Sequence, residues 1–262
     1  MALQKEIWIN SIIEGLFADN SFAARSINHS EFVNNKRVHV PNAGAGPAVV
    51  KNRTALPANV TVRTDNDVEY DLNEYTTDPI RISHADSVEL SYNKRESVIR
   101  VSRAKLIDKV HDDLLSEWIS GAGAITPGST MKETIMLCKK QFDNDNVPQT
   151  GRYMLLTAET YNDLLGEMTD NERNYFLVSA NAATGTLGKY MSFDYYMRSK
   201  MTGGSSDPDG FVWWENALSR ALGETVMFDN PGDATYYSDI MSFLVRTGGA
   251  VLRYDGIGVL TF

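Results

Sequence analysis

Between Val38 and Ile82 the chain lacks the apolar density that a hydrophobic core requires. The run PNAGAGPAVVKNRTALPANVTVRTDND is rich in Pro, Gly, Asn and Thr, and Val60 and Val62 alternate with polar residues, the pattern of hairpin and loop. So long a loop-rich excursion inside a compact domain marks either function or disorder. It is expected to form an arm that reaches outward and is stabilised by burying its few apolar residues on another surface.

The rest of the chain is dense enough to supply a body. Of 262 residues, 42% are hydrophobic and 23% charged, a globular composition, and no Ser/Pro-rich linker divides the chain in two. One intertwined unit is expected. Ile7, Ile9, Ile12, Ile13, Leu16 and Phe17 predict a short amphipathic helix from Gln4 to Phe17, weakened near its end by Gly15. A helix that short is marginal alone, so it must dock on its own chain or on a neighbouring copy. A brief strand, Val88 to Tyr92, precedes a long helix from Lys94 to Ser120, stopped by Gly121-Ala122-Gly123. Its apolar face is expected to carry Ile107, Val110, Leu114 and Trp118, and its wet face Lys105, Asp108, Lys109, Asp112 and Glu117. At about 1.5 Å per residue it forms a spine on the order of 40 Å long.

Beyond the spine, helix and strand alternate. Thr130 to Phe142 and Thr160 to Leu165 read as helices around a buried strand, Tyr153 to Leu156. Phe211 to Trp214 and Val226 to Phe228 read as strands separated by a helical ENALSRALG. Ile240 to Arg246, a turn at Gly248-Gly249 and Val251 to Tyr254 suggest a hairpin, with Val259 to Phe262 as a terminal strand. The fold class is α+β, without a fixed-period repeat.

The charge balance narrows the partners. The formal net charge is −9, and the basic residues form no run longer than a pair, the pairs being Lys36-Arg37, Lys94-Arg95 and Lys139-Lys140, so strong phosphate affinity is not expected. Cys138 is the single cysteine and rules out an intrachain disulfide, which fits a reducing compartment. The opening MALQKEIWIN lacks the pattern of a secretory leader, and no apolar run approaches the roughly 18 residues of a membrane span, so a cytosolic protein is expected.

A search for chemistry returns solvated turns and packing residues. His29, His39, His84 and His111 are too far apart in sequence to form a local metal pair. Asp143-Asn144-Asp145-Asn146 opens like a calcium loop but places Pro148 at the sixth position, where Gly is needed, and Met154 at the twelfth in place of Glu. Gly203-Gly204-Ser205-Ser206-Asp207 lacks the last glycine of a nucleophile elbow, and Gly44-Ala45-Gly46 precedes Pro47 and no helix. Trp213, Trp214, Tyr195, Tyr196, Tyr236 and Tyr237 lack the interleaved Arg and Lys of a base-stacking platform and are expected in core and interface. No catalytic, cofactor-binding or metal residue is expected, and the chain is read as a structural protein.

The order of parts, a docking helix, an extended β arm, a spine helix and an α+β body, resembles the major capsid proteins of tailed bacteriophages, whose architecture is the Hong Kong ninety-seven fold. VELSYNKRESVIRVSRAKLIDKVHDDLLSEW (Val88 to Trp118) is similar to the segment where the extended loop returns and the spine begins. NVPQTGRYMLLTAETYNDLL (Asn146 to Leu165) is similar to the family's axial Val-Pro, Arg-Tyr, strand, helix run. ALSRALGETVMFDNPGDATYYSDIMSFLVRTGGAVLRYDGIGVLTF also resembles phage coat proteins, particularly those of gut-bacterial phages.

The resemblance implies an N-terminal arm at 1–40, an extended loop at 41–83, a peripheral domain with the spine at 84–150, an axial domain at 151–221, and returning peripheral strands with the C-terminal strand at 222–262. It implies hexamers and pentamers of the chain in an icosahedral head around double-stranded DNA. Portal, scaffolding and head-decoration proteins would be partners, DNA would be met only by non-specific proximity, and no membrane would be involved. The expected location is the virion, assembled in the host bacterial cytoplasm, with scaffolding supplied separately or already trimmed away. Some relatives crosslink a loop lysine to an asparagine. Lys51 stands in that loop, but no partner Asn or catalytic Glu is identifiable, so no crosslink is expected. The alternatives are an encapsulin-like shell around a cargo enzyme, and a hydrolase assembled from Asp108, Asp112 and Glu117.

Overall fold

The computed structural model describes residues 2–42, 48–54, 57, 60, 62, 66–83, 94–199, 201 and 207–261. The strand expected at Val88 to Tyr92, His84, and the glycine runs at 44–46 and 203–204 lie outside the described residues.

Helix α1 (Ala2–Leu16) docks on the spine helix α2 (Lys94–Ser120) of its own chain. Ile12 and Leu16 are fully buried there. Two hydrogen bonds fix the pairing: the Arg103 guanidinium donates to Ser11 Oγ at 2.7 Å, and His111 Nε2 lies 2.7 Å from the Leu16 carbonyl oxygen. The helix runs through Gly15, where the Arg103 guanidinium occupies the space that a Cβ would need. The buried stripe of α2 is Ile99, Ser102, Leu106, Val110, Leu114 and Trp118, at steps of three and four. Leu106 takes the core position expected for Ile107, which is only partly buried. Glu117, expected in water, is half-buried and accepts a hydrogen bond from Asn73 at 2.9 Å.

Two sheets meet this helix layer. In the first, the order is β1 (Ile27–Asn28), β12 (Leu218–Asp233), β13 (Ser238–Val251) and β5 (Asn73–Thr76), with β6 (Ile80–Ser83) also on β13. Here two expectations fail. ENALSRALG is not helical: a single 3-10 turn at Glu215–Ala217 leads straight into β12. Pairing on both edges, parallel to β1 and antiparallel to β13, overrides its local helix propensity. Gly248-Gly249 is not a turn either, because β13 runs through it and the hairpin closes at residues 234–237. A Cβ on Gly248 would lie 2.7 Å from the Asp71 carbonyl oxygen. One on Gly249 would lie 2.7 Å from Leu114 Cδ2 and 2.8 Å from Trp118 Nε1, so the pair lets the spine approach the strand.

The second sheet runs β7 (Ala124–Ile125), β14 (Ile257–Leu260), β11 (Gly210–Trp214), β8 (Arg152–Thr157), β10 (Phe193–Arg198) and β9 (Gly188–Tyr190). It is covered on both faces, which is why its central strands read as continuous apolar runs. Leu155, Phe211 and Trp213 face the spine core, while Met154, Leu156 and Val212 face a second core with helices α3 (Met131–Asn144), α4 (Ala158–Glu167) and α5 (Asp170–Val178). Helix α3 and strand β14 thus pack with residues 152–214, outside the 151–221 span drawn from the resemblance. Helix α5 adds to the expected elements; its Thr169 and Glu172 form a reciprocal capping box that the Thr-x-x-Glu spacing signals. A third, small sheet of β2 (Val33–Asn34), β3 (Arg37–Asn42) and β4 (Asn66–Asp71) roots the arm.

Candidate assembly surfaces

The root sheet has one apolar and one polar face. Along β3 burial alternates, so Val38 and Val40 pack with Leu72 and Ala221 while Arg37 and His39 face outward. Opposite them, Arg37 pairs with Asp71 and His39 with Glu69. Arg37 Nε donates to Asp71 Oδ1 at 2.8 Å, and Arg37 Nη1 to Glu69 Oε2 at 3.1 Å. Beyond this root, every described residue between 48 and 62 is exposed. Val49, Val60 and Val62 are 95%, 94% and 91% exposed, so their own chain gives them no cover. Lys51 is exposed on the same segment.

Two further apolar projections stand on the body. Helix α5 presents Tyr175 and Val178, 80% and 85% exposed. The β12–β13 hairpin ends in Tyr236 and Tyr237, with Tyr237 held at φ +49°, a left-handed conformation unusual for a bulky side chain. Exposed apolar residues grouped at three projections are the usual mark of contact with other molecules.

The interior groups singled out in the sequence are engaged in holding these parts together. Trp213 Nε1 donates to the Arg25 carbonyl at 2.7 Å, and the Arg220 guanidinium donates to carbonyls of Ala23, Ala24 and Ser26, tying the segment after α1 to the body. Tyr195 and Tyr196 are buried, as expected for packing residues. Arg152 has a fully buried side chain that donates to the Val147 and Pro148 carbonyls and pairs with Asp143 at 2.8 Å. Asp143 thus ties the last turn of α3 to β8, the helix is capped at Asp145, and Asn146, at φ +55°, makes the turn after it.

Asp108, Asp112 and Glu117 do not converge. Asp112 pairs with Arg198 at 2.7 Å, whose guanidinium also donates to the Asp108 carbonyl, while Glu117 is taken up by Asn73. Burial raises the Glu117 carboxyl and lowers the His111 imidazole. Burial also pushes the Cys138 thiol up to about 12, far from thiolate chemistry at neutral pH. His29 lies 2.7 Å from Ser219 Oγ, and His39 lies 3.1 Å from Glu69. Among the described residues no helix is long and apolar enough to cross a membrane.

No protein-family model matches the chain, and no curated protein matches it. Solved structures do. A structure from Mycobacterium phage Che8 superposes with a TM-score of 0.65 at 17% identity, covering 92% of this chain and 90% of that one. The capsid structure of cyanophage P-SCSP1u gives 0.62 at 16% identity, over 90% and 86%. A virus-like particle from Pyrococcus furiosus gives 0.62 at 7% identity, over 98% and 99%. Matched nearly end to end by such structures, the chain has the α+β Hong Kong ninety-seven fold of tailed-phage major capsid proteins.

Proposed function

We propose that the protein is a major capsid protein that assembles with copies of itself into the hexamers and pentamers of an icosahedral phage head around double-stranded DNA. The observation that carries this reading is the arm: within a fold shared with capsid structures over nine-tenths of the chain, Val49, Val60 and Val62 stand almost fully in solvent. Burying one such side chain contributes about 1.5–3 kcal/mol, and a neighbouring copy is the surface available to every subunit of a shell. The net charge of −9 suits a lining that does not grip packaged phosphates. In this reading residues 1–40 are an N-terminal arm docked on its own body, 41–83 the extended loop, 84–150 and 222–262 mainly peripheral, and 151–221 axial. Portal, scaffolding and decoration proteins would be its partners, and the virion its location.

Deleting residues 44–58 tests it. A folded, soluble body that no longer forms closed particles under negative stain is the expected result. Normal shells from the deletion would remove the arm from assembly.

A second reading, an encapsulin-like shell around a cargo enzyme, is favoured by the virus-like particle matched over 98% of this chain. Native particles distinguish the two by content: DNA for the first reading, a protein cargo for the second.

A further inference from the structure

We infer that the outer face of the arm's root is a binding site for a borderline divalent cation of the zinc class, held by His39, Asp67 and Glu69. One ligand atom from each lies within 4.8 Å of the other two. Strand register explains why. His39 on β3 is directly opposite Glu69 on β4, and Asp67, two residues from Glu69, shares its face. Asp67 is opposite Pro41, a side chain that offers a carboxylate nothing, so Asp67 is left to turn diagonally toward His39.

The spacing and chemistry suit a metal. His39 Nδ1 and Glu69 Oε1 are 3.1 Å apart, a separation that two ligands at about 2.0–2.2 Å from one tetrahedral ion span with little movement. Glu69 directs its other oxygen, Oε2, to Arg37 at 3.1 Å, which orients the carboxylate as outer-shell partners orient metal ligands. A nitrogen with two carboxylates selects zinc, cobalt or nickel over calcium and magnesium, which take oxygen ligands. The three are exposed, so a fourth position is open to water.

The ion would clip β3 to β4 beside Pro41–Asp67 and Asn42–Asn66, the last paired rungs before the arm departs. Among the described residues, the buried core beneath this sheet is small, formed by Val38, Val40, Leu72 and Ala221, so a cross-strand clip would govern how firmly the arm is aimed. That role rests on the shell reading above; the cation site does not.

Titrating Zn²⁺ into the metal-stripped full chain by calorimetry tests the site, with Co²⁺ absorption as a second readout. One ion per chain is expected, with a visible Co²⁺ band. His39→Ala should weaken binding by more than about tenfold, the scale on which even outer-shell losses act, and abolish the band, with Asp67→Asn weakening it as well. Cys138→Ser should change neither. No binding by the native chain, or binding and a band unchanged in His39→Ala, would overturn the inference. Because these readouts need no assembled particle, failure of the shell reading and failure of the cation site are separable.

Discussion

The Trp118 indole N–H donates to the Ser219 carbonyl oxygen at 3.2 Å, joining the end of the spine helix to the start of the long β12 strand. Trp118 is fully buried, so its replacement by Ala removes both the contact and a large volume. A loss of about 3–5 kcal/mol is expected, measured by urea unfolding. Trp118→Phe retains most of the volume and loses only this hydrogen bond, for about 0.5–1.5 kcal/mol. A loss under about 1 kcal/mol in the alanine variant would mean that this face is not packed as described.

Gly249 sits under the same tryptophan. A methyl there would press on Leu114, Trp118 and the Ser219 carbonyl at 2.7–2.8 Å, so Gly249→Ala should destabilise by about 1–3 kcal/mol. Gly166, exposed in α4 with open space for at least 4 Å around the place a Cβ would take, is the contrasting case. Gly166→Ala should stabilise by about 0.5–1 kcal/mol. Opposite signs in thermal unfolding are the expected result, and equal effects would contradict it.

Acid should loosen the second core. The Lys132 ammonium, helped by the Thr169 backbone and hydroxyl, holds Glu172 down to about 2, and Lys139 with Arg152 holds Asp143 below its ordinary value. A depressed carboxylate contributes stability that is present above its unfolded value and lost as pH falls through the folded one. The melting temperature should therefore fall between about pH 4.5 and 2. Glu172→Gln should start lower at neutral pH and show a shallower decline, and an identical slope in both proteins would count against the capping box as a source of acid sensitivity.

Much of this arrangement is legible in residue order. The 3–4 periodicity and the glycines after Ser120 bound the spine helix correctly, and continuous apolar runs such as YMLL mark strands covered on both faces. Non-local pairing is harder to see. ALSRAL becomes strand because β1 and β13 flank it, and Gly248-Gly249 serves close approach to Trp118 instead of a turn. Neither partner is near in sequence. Helix α5 carries a local signal, its capping box, that periodicity over so short a segment does not reinforce. The arm's exposed valines are visible as a poverty of core residues, whereas the meeting of His39 with Asp67 and Glu69 requires the β3–β4 register.

The arm valines separate folding from assembly. Val49, Val60 and Val62 touch almost nothing in their own chain, so replacing all three with Ser should change the stability of the isolated subunit by no more than about 0.5 kcal/mol per site. If neighbouring copies cover them, each replacement removes up to about 1.5–3 kcal/mol of interface burial, repeated at every subunit of the shell. Sedimentation should then show the triple variant as free subunits or small oligomers under conditions where the native chain forms particles. Particles in native yield would place these valines in solvent within the assembly too, and would leave the arm's role to its backbone and its root.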